Sequence, residues 1–586
     1  MKTLIEKLLN QALAALPDEL VPKSARDIAI EIEHSRDPVH GDFACGLAMR
    51  LAKPARQNPR KLAQALVGAL PAHAAIAKVE IAGAGFINFF LKSDAYNAEV
   101  GRILAADRQY GRSNFGAGVK LLLEFVSANP TGPLHVGHGR HAAFGATLGN
   151  ILSAAGFQVS REYYVNDAGR QMEILAVSTW LRYLQRCGET LEFPANGYRG
   201  GYIVAIAEAL YAAEGESLRR DAATLFAGLP PDAPAGGDKD LYIDALIARA
   251  REILGDQTYR RILDYTLKGI LDDIRADLSE FGVEFDHWFS ERTLSDDGSV
   301  DKAIAALKSS GHAYLKDGAL WFRSTDFGDE KDRVMVRENG VKTYFASDIA
   351  FVFNKRERGF EHLVYVWGAD HHGYISRLRA ALIALGGPPE CFEVRLVQFV
   401  SLFRGGEKAQ MSTRSGEFVT LRDLRKEVGN DAARLFYVLR SNDQHLDFDL
   451  ELATARTNEN PVYYIQYAHA RVASVMRQLA ERGLQHDMQA GLAALSRLSE
   501  PQERQLIKRL VQFPEIIEQC AVQRAPHTLV HFLRDLANDF HTYYSAHQFI
   551  VEDSGLRDAR LNLALASRMV IRNGLELLGV SAPDTM

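Results

Sequence analysis

Two histidines in the segment Ser127–Arg140 (SANPTGPLHVGHGR) have a spacing that suits phosphate chemistry. His135 and His138 are three residues apart at a predicted helix start, so they share one face of the helix. Gly137 and Gly139 leave the backbone open to close approach by a ligand. A phosphate would meet the positive end of the helix dipole, and the imidazoles could stabilise charge developing on a leaving pyrophosphate. The alternative is a capped helix with two ordinary histidines.

A second candidate for phosphate binding lies far downstream, in Phe403–Phe418 (FRGGEKAQMSTRSGEF). This segment combines glycines and small hydroxyl residues with the cations Arg404, Lys408 and Arg414. Such a loop could close over phosphates. The alternative interpretation is a solvated surface hairpin.

The elements around the histidine turn predict an α/β fold. The run KLLLEFV, residues Lys120–Val126, is typical of a buried parallel strand, and a turn and a helix from about His135 follow it. Strand, glycine/proline turn and helix start form the opening of a Rossmann-type nucleotide-binding fold. Further strand-like runs at ALWFRS, LVYVWG and VRLVQFV predict that a parallel sheet closes there.

Pattern changes along the chain predict three domains. Residues 1–112 form an α+β domain that opens with an amphipathic surface helix and contains the strand-like pair KVEIAGAGFINFFL. Residues 113–450 form the catalytic domain, with a helical insertion at about 175–265. Residues 451–586 form an all-α helical bundle, with helices predicted at Pro461–Leu479, Gln502–Cys520, Leu529–Tyr544 and Leu561–Leu578.

Length and composition exclude several classes of protein. With 586 residues, 47% hydrophobic and 24% charged, the chain is too long for one small binding module and too apolar for disorder. No run approaches the roughly 18 apolar residues of a membrane span, so we expect a cytoplasmic protein without a membrane partner. Cys45, Cys187, Cys391 and Cys520 are far apart in sequence, which predicts free thiols and neither a disulfide framework nor a structural zinc site.

The motifs in this order resemble the class I aminoacyl-tRNA synthetases. The HVGH turn at the start of an α/β domain resembles their HIGH element, and the QMSTR loop just before a helical domain resembles their KMSKS element. Within that class the chain resembles the arginyl-tRNA synthetase family over nearly its whole length. The blocks that carry this resemblance are LEFVSANPTGPLHVGHGR, YYVNDAGRQ, TYFASDIA, YVWGADHHGY and NPVYYIQYAHAR, in the family's order.

The resemblance implies a reaction and its partners. L-arginine would be activated by ATP to arginyl-adenylate and then transferred to the terminal adenosine of tRNA-Arg, with release of pyrophosphate and AMP. Mg2+ would act on the phosphates, and the protein would contribute positioning and charge stabilisation. The family characteristically needs its tRNA to activate arginine. We expect a monomer.

The resemblance also assigns residues to ATP. Those expected to bind ATP are His135, Gly137, His138, Gly139, Gly368, Asp370, Met411 and Ser412, and those expected to act in catalysis are His135, His138, Lys408, Ser412 and Arg414. The loop departs from the family signature, because Gln410 and Thr413 stand at its two lysine positions. Where some members place a compensating lysine ahead of the histidine turn, this chain has Gly132. We therefore expect Lys408 or Arg414 to supply the missing charge.

A guanidinium is planar, permanently charged and rich in donors, so a specific pocket needs a carboxylate in fork geometry and further acceptors. Tyr344 and Asp348 match the family's guanidinium-binding pair, and Glu291 matches a second acidic position. The alternative for the pair is an exposed helix face. The complete set expected to bind arginine is Ser127, Asn129, His138, Glu291, Tyr344, Asp348, Asp370 and His371.

The helical bundle resembles the family's anticodon-binding domain. Single-stranded RNA is recognised by stacking and base-edge hydrogen bonds, so Tyr463, Tyr464, Tyr467 and Arg471 are candidates, of which we select Tyr463, Tyr467 and Arg471. The alternative is that these aromatics are core residues.

Three alternative functions stay open at this point. The chain could be a synthetase-like RNA-binding protein that has lost catalysis, a synthetase for another amino acid, or a nucleotidylyltransferase without RNA. The presence of His135, His138, Asp348 and Asp370 argues against the first. The long helical domain argues against the last.

Overall fold

The computed structural model describes residues 1–35, 37–92, 94–409 and 419–586. The strands in these ranges are β1 (Ile32–His34), β2 (Phe43–Cys45), β3 (Ile76–Ala82), β4 (Phe86–Leu91), β5 (Lys120–Glu124), β6 (Gln158–Val165), β7 (His287–Ser290), β8 (Ala313–Lys316), β9 (Ala319–Phe322), β10 (Arg333–Val336), β11 (His362–Gly368), β12 (Phe392–Val397), β13 (Val400–Arg404), β14 (Glu407–Lys408) and β15 (Leu446–Asp449). The helices are α1 (Lys2–Ala15), α2 (Leu47–Ala55), α3 (Pro59–Ala69), α4 (Asn97–Ala106), α5 (Val136–Ala154), α6 (Arg170–Arg186), α7 (Gly201–Glu214), α8 (Ala222–Phe226), α9 (Lys239–Leu254), α10 (Asp256–Glu280), α11 (Glu291–Asp296), α12 (Ser299–Ser309), α13 (Tyr344–Glu357), α14 (Ile375–Ala384), α15 (Leu421–Val428), α16 (Asn430–Tyr437), α17 (Leu450–Thr454), α18 (Pro461–Glu481), α19 (Met488–Ala493), α20 (Pro501–Val511), α21 (Phe513–Gln523), α22 (His527–Ala546) and α23 (Ser554–Leu578).

Within the described ranges the chain packs as two compact units. The first contains Met1–Arg108, Val475–Val511 and Asp539–Met569, and the second contains Gln109–Ser474, Gln512–Asn538 and Val570–Met586. None of the described helices has the length and apolar character needed to cross a membrane. The histidine turn and the predicted arginine-binding residues all lie in the second unit.

The amino-terminal part of the first unit has the predicted α+β character. The apolar face of α1 is buried, as its spacing predicts, at Ile5, Leu9 and Ala12. A four-stranded antiparallel sheet follows in the order β1-β2-β4-β3. Strands β3 and β4 are the two halves of KVEIAGAGFINFFL, and the turn between them uses positive φ angles of 54° at Gly83 and 140° at Gly85.

A five-stranded parallel sheet lies at the centre of the second unit, in the order β12-β11-β5-β6-β7. Leu121, Leu122 and Leu123 of β5 are fully buried, which explains the uninterrupted apolar run. The chain proceeds from β5 to β6 and β7 on one side, then returns so that β11 and β12 lie on the other side. The strand order therefore reverses between β5 and β11. In an open α/β sheet this is the place where ligands bind, at the carboxyl ends of the strands.

The prediction that ALWFRS contributes to the parallel sheet is wrong. Its strand, β9, belongs to a separate antiparallel sheet in the order β10-β9-β8. The turn between β8 and β9 is Asp317-Gly318, with φ angles of 51° and 75°. Positive φ at both central residues is the conformation of a tight type I′ hairpin, so β9 pairs with its neighbour in sequence.

The predicted single helix Gln502–Cys520 is also wrong. Helix α20 ends at Val511 and α21 begins at Phe513, with Pro514 in its first turn. In an uninterrupted helix the Pro514 ring would clash with the carbonyl of Leu510, four residues earlier. The proline therefore ends one helix and is accommodated at the start of the next.

The four cysteines are free thiols, as predicted. Cys45, Cys391 and Cys520 are buried and Cys187 is half-buried. Burial raises the pKa of each of these thiols. They are therefore protonated, unreactive packing residues at neutral pH.

Candidate active site

Helix α5 begins with a cap made by two histidines. His135 precedes the first helical residue, and its Nδ1 accepts hydrogen bonds from the backbone N–H groups of Gly137 (3.1 Å) and His138 (3.4 Å). Nδ1 of His138 accepts in return from the backbone N–H of His135 at 3.3 Å. The two rings stack with their centroids 3.6 Å apart. This is the reciprocal arrangement of a capping box, so the spacing of the histidines has a structural role as well as a chemical one.

The cap fixes the protonation of both rings. Because Nδ1 of each ring accepts a backbone hydrogen bond, the proton of the neutral imidazole is on Nε2. Burial lowers the pKa of His135. Burial, together with the charges of His135 and His141, holds the pKa of His138 well below its ordinary value. At neutral pH each ring therefore presents an Nε2–H donor without carrying a positive charge.

The two glycines of the turn have different roles. A Cβ on Gly137 would lie 2.9 Å from Cε1 and 3.0 Å from Nδ1 of His135, so the cap requires glycine there. A Cβ on Gly139 would lie 2.7 Å from Cδ1 of Leu421 and 2.7 Å from Oη of Tyr437. Gly139 therefore allows close packing of α5 against later parts of the chain, and it is not among the residues that line the cavity described below.

The chain that follows the QMSTR loop is anchored on the histidine turn. The N–H of Val136 donates to the carbonyl of Val419 at 3.1 Å, and the N–H of Leu421 donates to the carbonyl of Leu134 at 2.8 Å. The two motifs are more than 250 residues apart in the printed sequence and meet at the start of α5. Val419, the first described residue after the loop, is thereby placed beside the histidine turn.

Most of the loop itself lies outside the described residues. Residues 410–418, which include the predicted Met411, Ser412 and Arg414, belong to that segment. Lys408 is described: it lies in β14, exposed, at the end of a hairpin with β13. Arg404 of the same hairpin forms an ion pair with Glu427.

Arg140 connects the histidine helix to the neighbouring strands. Its guanidinium is buried and donates to the carbonyls of Gln398 (2.8 Å), Gln444 (2.8 Å) and Ser441 (2.9 Å). Gln398 follows β12 and Gln444 precedes β15. One side chain therefore fixes α5 against two loops at the carboxyl end of the sheet.

A cavity of about 580 Å³ opens at the carboxyl ends of β5 and β11, where the strand order reverses. It contains every described residue predicted to bind ATP or arginine, except Gly139. Those residues are Ser127, Asn129, His135, Gly137, His138, Glu291, Tyr344, Asp348, Gly368, Asp370 and His371. The histidine turn and the acidic positions, taken from separate parts of the sequence, thus share one cavity.

One part of the cavity wall is strongly acidic. Asp348 on α13, Glu291 at the start of α11 and Glu124 at the end of β5 all line it. The pKa of Asp348 is raised to about 7, first by burial and then by the negative charges of Glu291 and Glu124, while Arg377 opposes the rise. Burial and the charge of Asp167 raise the pKa of Glu291. Such mutual repulsion among carboxylates is relieved when a cation binds between them.

A buried cation supports this acidic wall from behind. Lys355 is 0% exposed, and its Nζ contacts Glu124 at 2.5 Å and lies 3.6 Å from Glu162. The ammonium also lies 3.8 Å from the ring centroid of Phe351 and 4.1 Å from that of Tyr365. Lys355 therefore neutralises Glu124 at the base of the cavity, whereas Asp348 and Glu291 form no ion pair with any residue that the structure describes.

Tyr344 lies at the mouth of the cavity. It is the first residue of α13, one turn before Asp348, and 71% of its surface is exposed. Its hydroxyl would lie 3.4 Å from a Cβ on Gly169, across the opening. Tyr344 is thus exposed, as the alternative interpretation had it, but the face on which it lies is the wall of the cavity.

The backbone is strained where β5 leads into the cavity. Val126 and Ser127 have positive φ angles of 65° and 40°, which are rare for residues with side chains and especially for a β-branched one. The Ser127 hydroxyl accepts from the backbone N–H of Tyr164 (3.1 Å) and donates to Glu124 (3.3 Å). Strain of this kind is concentrated at functional sites, where surrounding contacts maintain it.

Gly368 and Asp370 form another part of the cavity wall, at the end of β11. A Cβ on Gly368 would lie 2.4 Å from Oδ1 of Asp370, so the carboxylate covers this position and excludes any side chain. Asp370 lies in the short 3-10 turn Ala369–Tyr374, and its Oδ2 is 3.5 Å from Nε2 of His371. Both side chains are exposed to the cavity.

The sequence interpretation missed several polar cavity residues, among them two that carry charge or titrate and one tyrosine. Glu124, Tyr164 and His141 line the cavity but had no predicted role. A carboxylate inside the apolar run KLLLEFV was a signal for Glu124, and the spacing of three residues from His138 was a signal for His141. Tyr164 had no comparable signal, because tyrosine is common in strands.

The three residues predicted to contact tRNA form a row on α18. The rings of Tyr463 and Tyr467 stack with centroids 5.7 Å apart, and the guanidinium carbon of Arg471 lies 4.4 Å from the Tyr467 ring centroid. All three are half-buried. Their contact with tRNA therefore stays a prediction.

Three family models match the chain. They are the arginyl tRNA synthetase N terminal domain at residues 3–91, the class I (R) tRNA synthetase catalytic domain at residues 99–210 and 244–456, and the DALR anticodon binding domain at residues 465–586. The parallel sheet, with its histidine turn and cavity at the strand reversal, agrees with the second of these. Fold and site together define a class I aminoacyl-tRNA synthetase.

Relatives narrow the assignment. The chain is 57% identical to the arginine–tRNA ligase of Thioalkalivibrio sulfidiphilus and 54% identical to that of Legionella pneumophila, and each match covers 100% of both chains. The solved structure of Thermus thermophilus arginyl-tRNA synthetase shares the fold, with a TM-score of 0.74 and 24% identity over 100% of both chains. The chain belongs to the arginyl-tRNA synthetase family.

Proposed function

We propose that this chain is an arginine–tRNA ligase, which activates L-arginine with ATP and transfers it to the terminal adenosine of tRNA-Arg. The observation that carries this function is the shared cavity. Neutral Nε2–H donors at a helix start face it from one side. A pair of carboxylates, Asp348 and Glu291, faces it from another side and has no ion-pair partner among the described residues. A nucleotide and a permanent cation can therefore bind side by side.

Arginine would be oriented by both of its charged ends. The guanidinium would bind Asp348 and Glu291, with the Tyr344 hydroxyl as a further acceptor at the cavity mouth. The α-amino and carboxylate groups would be bound by Ser127 and Asn129, and by Asp370 or His371. A lysine ammonium is a point charge and would leave part of this acceptor set unpaired, so selectivity would need no separate editing step.

ATP would bind along α5. His135 and His138 would donate from Nε2 to phosphate oxygens, in a position already favoured by the helix dipole. Gly137 would keep the cap in shape, and Gly368 and Asp370 would bind the ribose. The arginine carboxylate would then attack the α-phosphorus in line, and the preformed donors would stabilise the charge on departing pyrophosphate. No protein nucleophile takes part.

The loop cations would complete the phosphate site. Among the described cations near the loop, Arg404 is paired with Glu427, whereas Lys408 is exposed at the end of the hairpin that leads into the loop. We therefore keep Lys408 and Arg414 as the residues that replace the missing signature lysines, with Met411 and Ser412 closing on ATP. Alanine at Lys408 or at Arg414 should slow adenylate formation by about 10² in pre-steady-state assays, and normal rates for both variants would refute this assignment.

Mg2+ would enter with ATP as part of the substrate. In the described ranges no group of three or more His, Cys, Asp or Glu side chains is arranged to hold a metal ion. Mg2+ prefers oxygen ligands and is commonly held by substrate phosphates with one or two carboxylates. Phosphate oxygens would therefore supply most of its ligands here.

The remaining proposals concern organisation. We propose domains at residues 1–112, 113–450 and 451–586, which the ranges of the three family models support. Tyr463, Tyr467 and Arg471 would stack on bases of tRNA-Arg, since their half-buried row offers flat faces and a cation. We further propose a monomer that acts in the cytoplasm, where four free thiols would persist.

The deciding experiment is an assay of the purified chain. Arginine-dependent ATP–pyrophosphate exchange would be measured with and without tRNA-Arg, together with charging of the tRNA by labelled arginine, and lysine would serve as the competing amino acid. We expect exchange only with arginine and tRNA, and charging that lysine does not replace. A chain that binds tRNA-Arg but neither exchanges nor charges would instead be a synthetase-like RNA-binding protein.

A further inference from the structure

His141 lines the cavity but takes no part in the interactions proposed so far. It lies on α5, three residues after His138, on the same face and further from the helix start. A Cβ on Gly368 would lie 3.7 Å from Cε1 of His141, so its ring faces the end of β11. The titratable and charged groups that act on it are His135, Arg140, Asp370 and His371. The imidazole is therefore located between the histidine turn and the residues proposed for the ribose.

The His141 ring has no hydrogen-bond partner among the residues that the structure describes. His135 and His138 differ, because the cap occupies Nδ1 of each. His141 is half-buried, and it is the cavity that it faces. A polar ring at a cavity wall, without a protein partner, loses hydration without compensation unless a ligand or water bonds to it.

The chemistry of this ring favours a hydroxyl over a phosphate. Burial lowers the pKa of His141 to about 4, so the ring is neutral at physiological pH. A neutral imidazole has one donor and one acceptor, which complements a hydroxyl group that also donates and accepts. The ring lies about one helical turn, roughly 5 Å, from the positive end of the helix where a phosphate binds best. The nucleoside part of ATP is thus its closest matching ligand.

We propose that His141 is a further nucleotide-binding residue, which holds a ribose hydroxyl of ATP between α5 and the end of β11. This inference rests on the proposed function, because it takes ATP as the ligand of the cavity. His141 would act together with Asp370, which also lies beside Gly368: the carboxylate accepts only, whereas the imidazole can also donate. The pair would fix the sugar and thereby the distance from the α-phosphorus to the arginine carboxylate.

The test compares three nucleotides on three proteins. Wild type, His141→Ala and His141→Gln would be assayed for the KM of ATP in exchange with tRNA present, and for direct binding of ATP, 2′-deoxy-ATP and 3′-deoxy-ATP by calorimetry. We expect His141→Ala to raise the KM and Kd of ATP by about 5- to 10-fold, the size of one lost hydrogen bond, with the KM of arginine changed less than twofold. For one of the two deoxy nucleotides, wild type and His141→Ala should bind equally.

The remaining variants separate binding from folding. His141→Gln keeps one donor group and one acceptor group, so it should recover most of the affinity that alanine loses. His287→Ala, an exposed histidine of β7 outside the cavity, should match wild type within twofold. If His141→Ala does not fold, His141→Leu, which fills the same space without a polar group, replaces it in every comparison.

Two results would overturn the proposal. One is an unchanged Kd of ATP in His141→Ala. The other is an equal loss of affinity for ATP and for both deoxy nucleotides, because the contact would then not be with the sugar hydroxyls. A wild-type protein without arginine-dependent exchange would refute the proposed function instead, and the two failures are therefore distinguishable.

Discussion

The affinity for arginine should depend on pH near neutrality, because a carboxylate of the binding site titrates there. Burial raises the pKa of Asp348 to about 7, and nearby Glu291 adds to the rise. The guanidinium stays charged throughout, and a bound cation favours the ionised carboxylate. Arginine binding therefore lowers the pKa of Asp348 and releases its proton.

The sign and size follow from linkage. Below pH 7 the free protein holds a proton on Asp348 that must leave before arginine binds, so affinity falls as pH falls. The loss approaches tenfold per pH unit, which makes the Kd at pH 6 about tenfold higher than at pH 8. Above pH 8 the carboxylate is already ionised and the Kd should be constant. The number of protons released should be about 0.9 at pH 6 and about 0.5 at pH 7.

Calorimetry can measure both quantities. Arginine would be titrated into the protein at pH 6, 7 and 8, each in two buffers that differ in ionisation enthalpy, so that proton release is obtained from the difference in heat. Asp348→Asn should bind weakly and without pH dependence in this range. His287→Gln is the matched control: it removes an exposed histidine outside the cavity and should keep the Kd and the slope of the wild type.

A Kd that is constant from pH 6 to 8, or one that improves as pH falls, would refute this reasoning. A Kd that improves as pH falls could not be assigned to His138 or His141. The pKa of each lies below its ordinary value, and neither ring titrates in that range. A slope retained in Asp348→Asn would assign the proton to another group.

Two further predictions concern the groups that hold the site in place. Gly137→Ala places a Cβ 2.9 Å from Cε1 of His135 and should displace the ring. We expect the rate of adenylate formation to fall by about 10² in stopped-flow assays, and the free energy of unfolding in urea to fall by about 1 kcal/mol. A normal rate would contradict this prediction. Lys355→Met leaves Glu124 buried without its cation, whereas Glu162 keeps its ion pair with Arg358 at 2.7 Å. The change should cost about 3–5 kcal/mol in urea unfolding, with the loss reduced when Glu124→Gln is added. An equal loss with and without the second change would show that charge is not the cause.

The sequence was sufficient to locate the motifs and the central strand of the parallel sheet. The run KLLLEFV becomes the buried central strand β5, and the histidine pair lies at a helix start. Both follow from local rules of burial and capping, which act over a few residues. The spacing of His135 and His138 alone explains a cap in which each ring accepts from the backbone of the other.

The two wrong predictions arose where a signal of one or two residues overrides the pattern of a longer segment. ALWFRS has the composition of a core strand, but the Asp317-Gly318 turn pairs it locally in an antiparallel sheet. Gln502–Cys520 has one apolar period, but Pro514 divides it between α20 and α21. In each case a signal of one or two residues outweighs the pattern of the whole segment.

The sequence by itself determined which residue types are present, which strands are apolar enough for the core, and where one helix must begin. Only the tertiary structure decided that His138, Asp348 and Gly368 share a cavity, because each lies on a different element of the second unit. It also decided that His141 lies at that cavity and that Gly139 serves packing. The physical reason is that the order β12-β11-β5-β6-β7 brings the carboxyl ends of distant strands together, and burial there sets protonation states that no local pattern contains.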